Sequence, residues 1–130
     1  MGTKVKRISL KALHKKAWNL HSKVIRISER GICFTCGARK NWKEQNAGHY
    51  IHKDCLDFDP INIHCQCVRC NKWLSGNSGI YAERLIAEYG EEAIASLRQR
   101  ANKIKKFAQI ELETIISELK QKLKILEELK

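Results

Sequence analysis

Cys33-Phe-Thr-Cys36-Gly37 and Cys67-Val-Arg-Cys70 form two Cys-x-x-Cys knuckles with 30 residues between them. Zinc takes four soft ligands in a tetrahedron, and each knuckle delivers two thiolates from one turn. The pattern therefore predicts a structural zinc on Cys33, Cys36, Cys67 and Cys70. Gly37 relieves the backbone just after the first pair. Cys55 and Cys65 are left over. The simpler reading is a buried thiol for each; the rival is that His52, Cys55 or Cys65 replaces one ligand or builds a second site. A second chemistry-bearing set lies between the knuckles: Ala47-Gly48-His49-Tyr50-Ile51, then Asn62-Ile63-His64-Cys65-Gln66, with Asn71 directly after the second knuckle. In a strand, Asn62, His64 and Gln66 alternate with Ile63 and Cys65, so the three polar residues share one face.

Helices must position these residues. Leu10, Leu13, Ala17, Leu20, Val24 and Ile27 fall on one helical stripe, predicting a helix over 9–29 with Ser9 as N-cap and Gly31 as stop. The stripe serves core packing, or a seam with a partner helix. His14 and His21 beside it are expected on the surface. Region 32–77 has weak periodicity and buries little apolar area, so a bound metal would supply the missing stability. Short strands are expected over 47–51 and 62–65, and a helix over 68–74 ended by Ser75, Gly76 and Asn77. A further helix over 80–89 stops at Gly90. One long helix over 91–129 follows, on Leu97, Ala101, Ile104, Ala108, Leu112, Ile115, Leu119, Leu123 and Leu126. At 1.5 Å per residue it would span about 58 Å, more than so small a domain covers. Its far end is expected on the N-terminal helix or on a second copy of the chain. The fold class is α+β, mainly α: a small zinc-bound ββα core between an N-terminal helix and a long C-terminal helix. The division is 1–31, 32–77 and 78–130.

Charge narrows the function. Charged residues make up 30% and apolar residues 43% of the 130, which fits a folded chain rather than a disordered tail. The net charge is +11, and residues 1–46 hold 12 basic and 2 acidic side chains, net +10. Such a block suits a polyanion, most simply nucleic acid, with Lys15, Lys16, Lys23 and Arg26 on the first helix; a merely solvated face is the alternative. No apolar run approaches the roughly 20 residues of a membrane span. The basic N-terminus lacks a signal-peptide core. A membrane protein is excluded and a secreted one is not expected, so the six cysteines point to metal before disulfides. Trp18, Trp42 and Trp73 are expected as packing anchors for a small domain.

The residues between the knuckles resemble the HNH, or His-metal finger, nucleases. Asn62-Ile63 followed by Cys67-x-x-Cys70-Asn71 matches their N-L-x-x-x-C-x-x-C-H/N pattern. Their ββα motif is a two-stranded hairpin packed on one helix around one divalent metal. The resemblance narrows to the phage lambda Rap (NinG) recombination endonuclease family, from about Lys15 to Leu97. It rests on Ile25-Arg26, Cys33 to Gly37, Ala47 to Tyr50, Asn62 to Asn71, and Ser75-Gly76-Asn77 followed by Tyr81 and Leu85.

The resemblance implies a metal-dependent endonuclease that cuts branched DNA, Holliday junctions and D-loops, during phage recombination. His49 would be the general base that deprotonates water, as suits an imidazole, whose ordinary pKa is near about 6.5. Asn71 would hold Mg²⁺ or Mn²⁺ at the scissile phosphate. Asn62 would brace the loop that carries His49. His64 would point into the cleft as a second metal ligand or a phosphate contact, and Arg69 and Lys72 would bind phosphate. Many HNH enzymes carry Asp or Glu just before the first His, where this chain has Gly48. Asp54, Asp57 or Asp59 would then contribute instead. Each residue also has a plainer reading: His49 and His64 as structural histidines, Asn71 as a helix cap. Paired cuts across a junction favour a homodimer through the helices. The location implied is the cytoplasm of an infected or lysogenic bacterial host. The alternatives are a non-catalytic zinc-containing DNA-binding module, and a general HNH nickase of duplex DNA.

Overall fold

The computed structural model describes residues 8–103 and 106–129. The first helix, α1, spans Leu10–Ser28 and opens where the Ala12 N–H donates to Ser9 Oγ at 3.1 Å. It buries Leu13, Ala17, His21 and Val24. Two strands, β1 (Asn46–His49) and β2 (Ile63–Gln66), pair antiparallel, with Gly48 opposite His64 and His49 opposite Ile63. Helices α2 (Ser78–Tyr89), α3 (Glu92–Ala101) and α4 (Gln109–Glu128) follow. The fold is mainly helical around one hairpin, as the sequence predicts.

Two differences have physical causes. The single helix expected over 91–129 is two. α3 ends at Ala101 and α4 starts at Gln109, after an extended Ala108 whose N–H donates to Glu111 Oε1. Ile104 of the predicted stripe lies outside the described residues. The break lets the stripe serve two cores. Leu97 stays with Leu56, Tyr81 and Leu85, while Leu112 and Ile116 reach Leu13 and Ala17 of α1. The N-terminal helix is therefore the partner of the far end, and each fully buried Leu or Ile there contributes roughly 1.5–3 kcal/mol. The segment after the second knuckle, expected as an α-helix, is a π-type turn over Arg69–Trp73.

α1 is tied to the hairpin at its end. Glu29, its C-cap residue, accepts the Cys65 N–H at 3.0 Å and a His64 Nδ1–H bond at 2.9 Å. Tyr81 of α2, fully buried, donates its hydroxyl to Gly48 O at 2.9 Å and Asn62 O at 3.2 Å, pinning the end of the hairpin. Among the described residues no helix is long and apolar enough to cross a membrane.

Candidate functional site

The four predicted sulfurs, those of Cys33, Cys36, Cys67 and Cys70, all lie within 4.8 Å of one another. Cys36 Sγ and Cys67 Sγ are 3.6 Å apart, close to the roughly 3.8 Å edge of a tetrahedron built on Zn–S bonds of about 2.3 Å. Backbone N–H groups already point at the sulfurs, Cys36 N to Cys33 Sγ at 3.5 Å and Cys70 N to Cys67 Sγ at 3.4 Å. Burial opposes a Cys33 thiolate, but the Thr35 hydroxyl and backbone N–H groups outweigh it and hold the thiol at about 6. Burial pushes Cys36 up to about 12, so without a cation the cluster resists a second negative charge. This donor set fits zinc. Cys65 is outside it, fully buried on β2 and pushed up to about 12 by burial. Cys55 stands apart too, its thiol on Arg100 O.

His49 ends β1, beside a cavity of about 780 Å³ between α1 and the loop after the strand. Asp57, on that loop, bridges two imidazoles. His49 Nε2 is 2.8 Å from its Oδ1 and His14 Nε2 is 2.7 Å from its Oδ2. Burial works against ionising Asp57, yet the hydrogen bonds from His49 and His14 prevail and hold it below the ordinary carboxylate range. Trp18 of α1 stacks on His49, centroids 4.6 Å apart and planes at 19°. His52 lies 5.1 Å away, ring to ring. Lys11, Lys15, Lys53 and Lys106 line the same cavity, together with Asp54. It is thus a cation-rimmed cleft around one imidazole whose orientation is fixed from two sides.

A family model described as "Bacteriophage Lambda NinG protein" matches residues 2–129. The chain belongs to the lambda NinG family. It is 33% identical over 128 residues to "Protein ninG" of Escherichia phage lambda, covering 93% of this chain and 62% of that protein. The ninG protein of Salmonella phage P22 is likewise 33% identical, with the same coverage of each chain. This NinG-family chain therefore spans about three fifths of the length of those relatives. No solved structure matches it.

The residues expected at the site do not all meet. Asn62 is fully buried and closes the loop after His49: its Oδ1 accepts the Ile51 N–H at 2.8 Å, and its Nδ2 donates to Ile51 O at 2.9 Å. His64 is buried away from the cavity. Its Nδ1 faces Glu29, its Nε2 faces Ile61 O at 3.1 Å, and its ring stacks on Phe34 at 4.0 Å. Both nitrogens face protein oxygens and the ring is turned from the cavity, contrary to the cleft-facing position read from the strand alternation. Asn71 is half-buried on the π-type turn, with its N–H on Cys67 O, and does not line the His49 cavity. Arg26 turns inward onto Ser22 O and the Trp42 and Gln45 carbonyls, with its guanidinium 5.2 Å from the Trp42 ring. It braces the loop instead of facing solvent. Lys15 lines the cavity, Lys16 and Lys23 line a groove between α1 and α4, and Arg69 and Lys72 are exposed.

Gly48 explains the missing carboxylate. A Cβ there would lie 1.8 Å from Gln66 Oε1, and Gln66 is fully buried and held on Thr35 Oγ1 and Gly76 O. Asp57 reaches His49 from the loop instead. Sequence reading named Asp57 beside Asp54 and Asp59 as a substitute carboxylate without pairing it to His49, and it gave His14 and Trp18 no place at the site. The signal was the spacing 14, 18, 21, which places His14, Trp18 and His21 on one helical face. His21 is buried, contrary to the surface position expected, and His14 is half-buried on Asp57.

Proposed function

We propose that this chain is a phosphodiester hydrolase acting on DNA, with His49 as the general base and branched DNA, the Holliday junction and D-loop class, as substrate. A structural zinc holds the two knuckles. The observation that carries this reading is the His49–Asp57 pair at a lysine-rimmed cavity in a NinG-family chain.

Asp57 decides which nitrogen reacts. Its carboxylate accepts from His49 Nε2, so the neutral ring keeps its proton there and Nδ1 carries the lone pair. Nδ1 then takes the proton of a water that attacks phosphorus, and the ring passes to an imidazolium stabilised by Asp57. Trp18 holds the ring plane while the proton moves. Lys11, Lys15, Lys53 and Lys106 bind phosphate oxygens along the rim. Mg²⁺ or Mn²⁺ belongs to the same reading. Mg²⁺ is ordinarily held by one or two carboxylates, water and substrate phosphates, and Asp54 on the cavity lining would be its protein ligand. When bound, the ion supplies charge stabilisation at the phosphoryl group. Two symmetric cuts need two sites, so a homodimer through the helices is part of the proposal. So is action in the cytoplasm of a phage-infected host.

The test is cleavage of one labelled four-way junction beside its matched linear duplex, with and without Mg²⁺ or Mn²⁺, by wild type and His49→Ala. The junction should be cut near its branch point by wild type only, with both proteins binding it. Equal cutting of both substrates would make the chain a general HNH nickase. Tight binding without cutting under either ion would make it a zinc-knit DNA-binding module.

A further inference from the structure

Trp73 is 81% exposed, the most exposed large apolar side chain among the described residues. The other two indoles are half-buried and partnered: Trp18 stacks on His49, and Trp42 lies under Lys23, Arg26 and Lys43. No ring or cation among the described residues covers Trp73. It is not a packing anchor, so leaving about 150–250 Å² of indole in water forgoes stabilisation. Val68 and Leu74, near it in the chain, are also exposed, at 36% and 44%.

The platform beneath this indole is stiff. Trp73 ends the π-type turn, an irregularity common at functional sites. Cys70, in the middle of the turn, is buried in the sulfur cluster. Its carbonyl accepts the Gly76 N–H at 2.9 Å, and Arg69 O accepts the Leu74 N–H at 2.8 Å. Asn77 Nδ2 donates to Cys70 Sγ at 3.7 Å. The backbone that carries the ring is therefore pinned.

The charge around it selects the occupant. Arg69 and Lys72 are exposed on the same turn, and no Asp or Glu occurs from Pro60 to Ala82. A cationic turn tipped with a bare indole fits a polyanion that offers apolar faces: DNA with unpaired or unstacked bases. In a continuous duplex each base face is already covered by its neighbours, so only phosphate contacts would form. At a branch point the continuous stack is interrupted, so a base face opens more readily than inside a duplex, and stacking on an aromatic ring is tolerant of sequence.

We propose that Trp73 is a stacking platform for an unpaired base, with Arg69 and Lys72 on the flanking phosphates. It thereby supplies selectivity for branched over linear DNA. The inference rests on the DNA-cutting reading above and adds the element that recognises structure.

The test measures binding with Ca²⁺ in place of the cutting ion. The probes are a four-way junction carrying 2-aminopurine at its branch point and the matched linear duplex. Wild type, Trp73→Ala and Trp73→Phe are compared at equal zinc content. Trp73→Ala should weaken junction binding about 5- to 150-fold and leave duplex binding unchanged, with Trp73→Phe recovering most of the loss. Junction binding should also protect wild-type tryptophan fluorescence from acrylamide by more than it protects that of Trp73→Ala, in which only Trp18 and Trp42 remain. Equal junction binding by wild type and Trp73→Ala, or equal loss on junction and duplex, overturns the proposal and leaves the nuclease reading standing. So does a change in mass by light scattering with DNA binding intact, which would make the indole a protein–protein seam. Wild type that binds neither DNA overturns both.

Discussion

His21 gives the account a quantitative test that does not depend on activity. It is 7% exposed on α1, against Trp18 and Phe58, and its Nε2 has no hydrogen-bond partner among the described residues. Burial, then the charge of Lys122, lowers its pKa from 6.5 to about 4. As the pH falls, the unfolded chain takes a proton at about 6.5 that the folded chain refuses until about 4. Stability is therefore complete above the upper value, falls between the two, and levels off below the lower. The loss is about 2 kcal/mol at pH 5 and about 3 kcal/mol once fully developed. His21→Leu keeps the volume and removes the titration. At pH 7.5 the variant should match wild type within about 1 kcal/mol, since no hydrogen bond is lost. At pH 5 it should gain about 2 kcal/mol relative to wild type, an advance of roughly 1 M in the urea midpoint. Acid also weakens thiolate ligation, but equally in both proteins, so their difference isolates His21. A stability difference that is the same at both pH values, or a His21 ring that titrates near 6 by NMR, would refute the reasoning.

Three further outcomes follow from the packing. Gly48→Ala puts a methyl into Gln66 Oε1 and should lower stability by about 1–3 kcal/mol in thermal or urea unfolding. Because His49 is the next residue, cutting should fall with it. Wild type should carry one zinc per chain and Cys67→Ser should lose it, read by native mass spectrometry, with a drop in thermal midpoint; full zinc retention would contradict the four-sulfur site. Tyr81→Phe removes the hydroxyl that serves Gly48 O and Asn62 O and should cost about 1–3 kcal/mol, with no cavity opened, by urea unfolding.

What the sequence made legible follows from periodicity and local chemistry. The α1 stripe, the Ser9 cap and the Gly90 stop are written in local spacing, the sulfur quartet in two matched knuckles, and the hairpin in the resemblance to the HNH motif. The break between α3 and α4 was not legible, since the apolar step continues across it and only the geometry of two cores requires the turn. His64 was misplaced because alternation gives a face, not what covers that face; here Glu29 and Phe34 do. Asp57 and His14 are 43 residues apart and meet only because α1 packs across the loop. Trp73 shows the limit of composition: residue type predicts burial on average, and the π-type turn aims this one at solvent.

In the proposed reaction a carboxylate-held imidazole, His49 on Asp57, takes the proton from water. Single-turnover cutting of a four-way junction by wild type and Asp57→Asn, with binding measured separately, tests it most directly. The amide cannot accept from both imidazoles, so one charge-assisted hydrogen bond is lost. That should slow cutting about 10- to 150-fold while binding stays the same. Cutting at the wild-type rate, or a rate loss matched by an equal loss of binding, would contradict the claim.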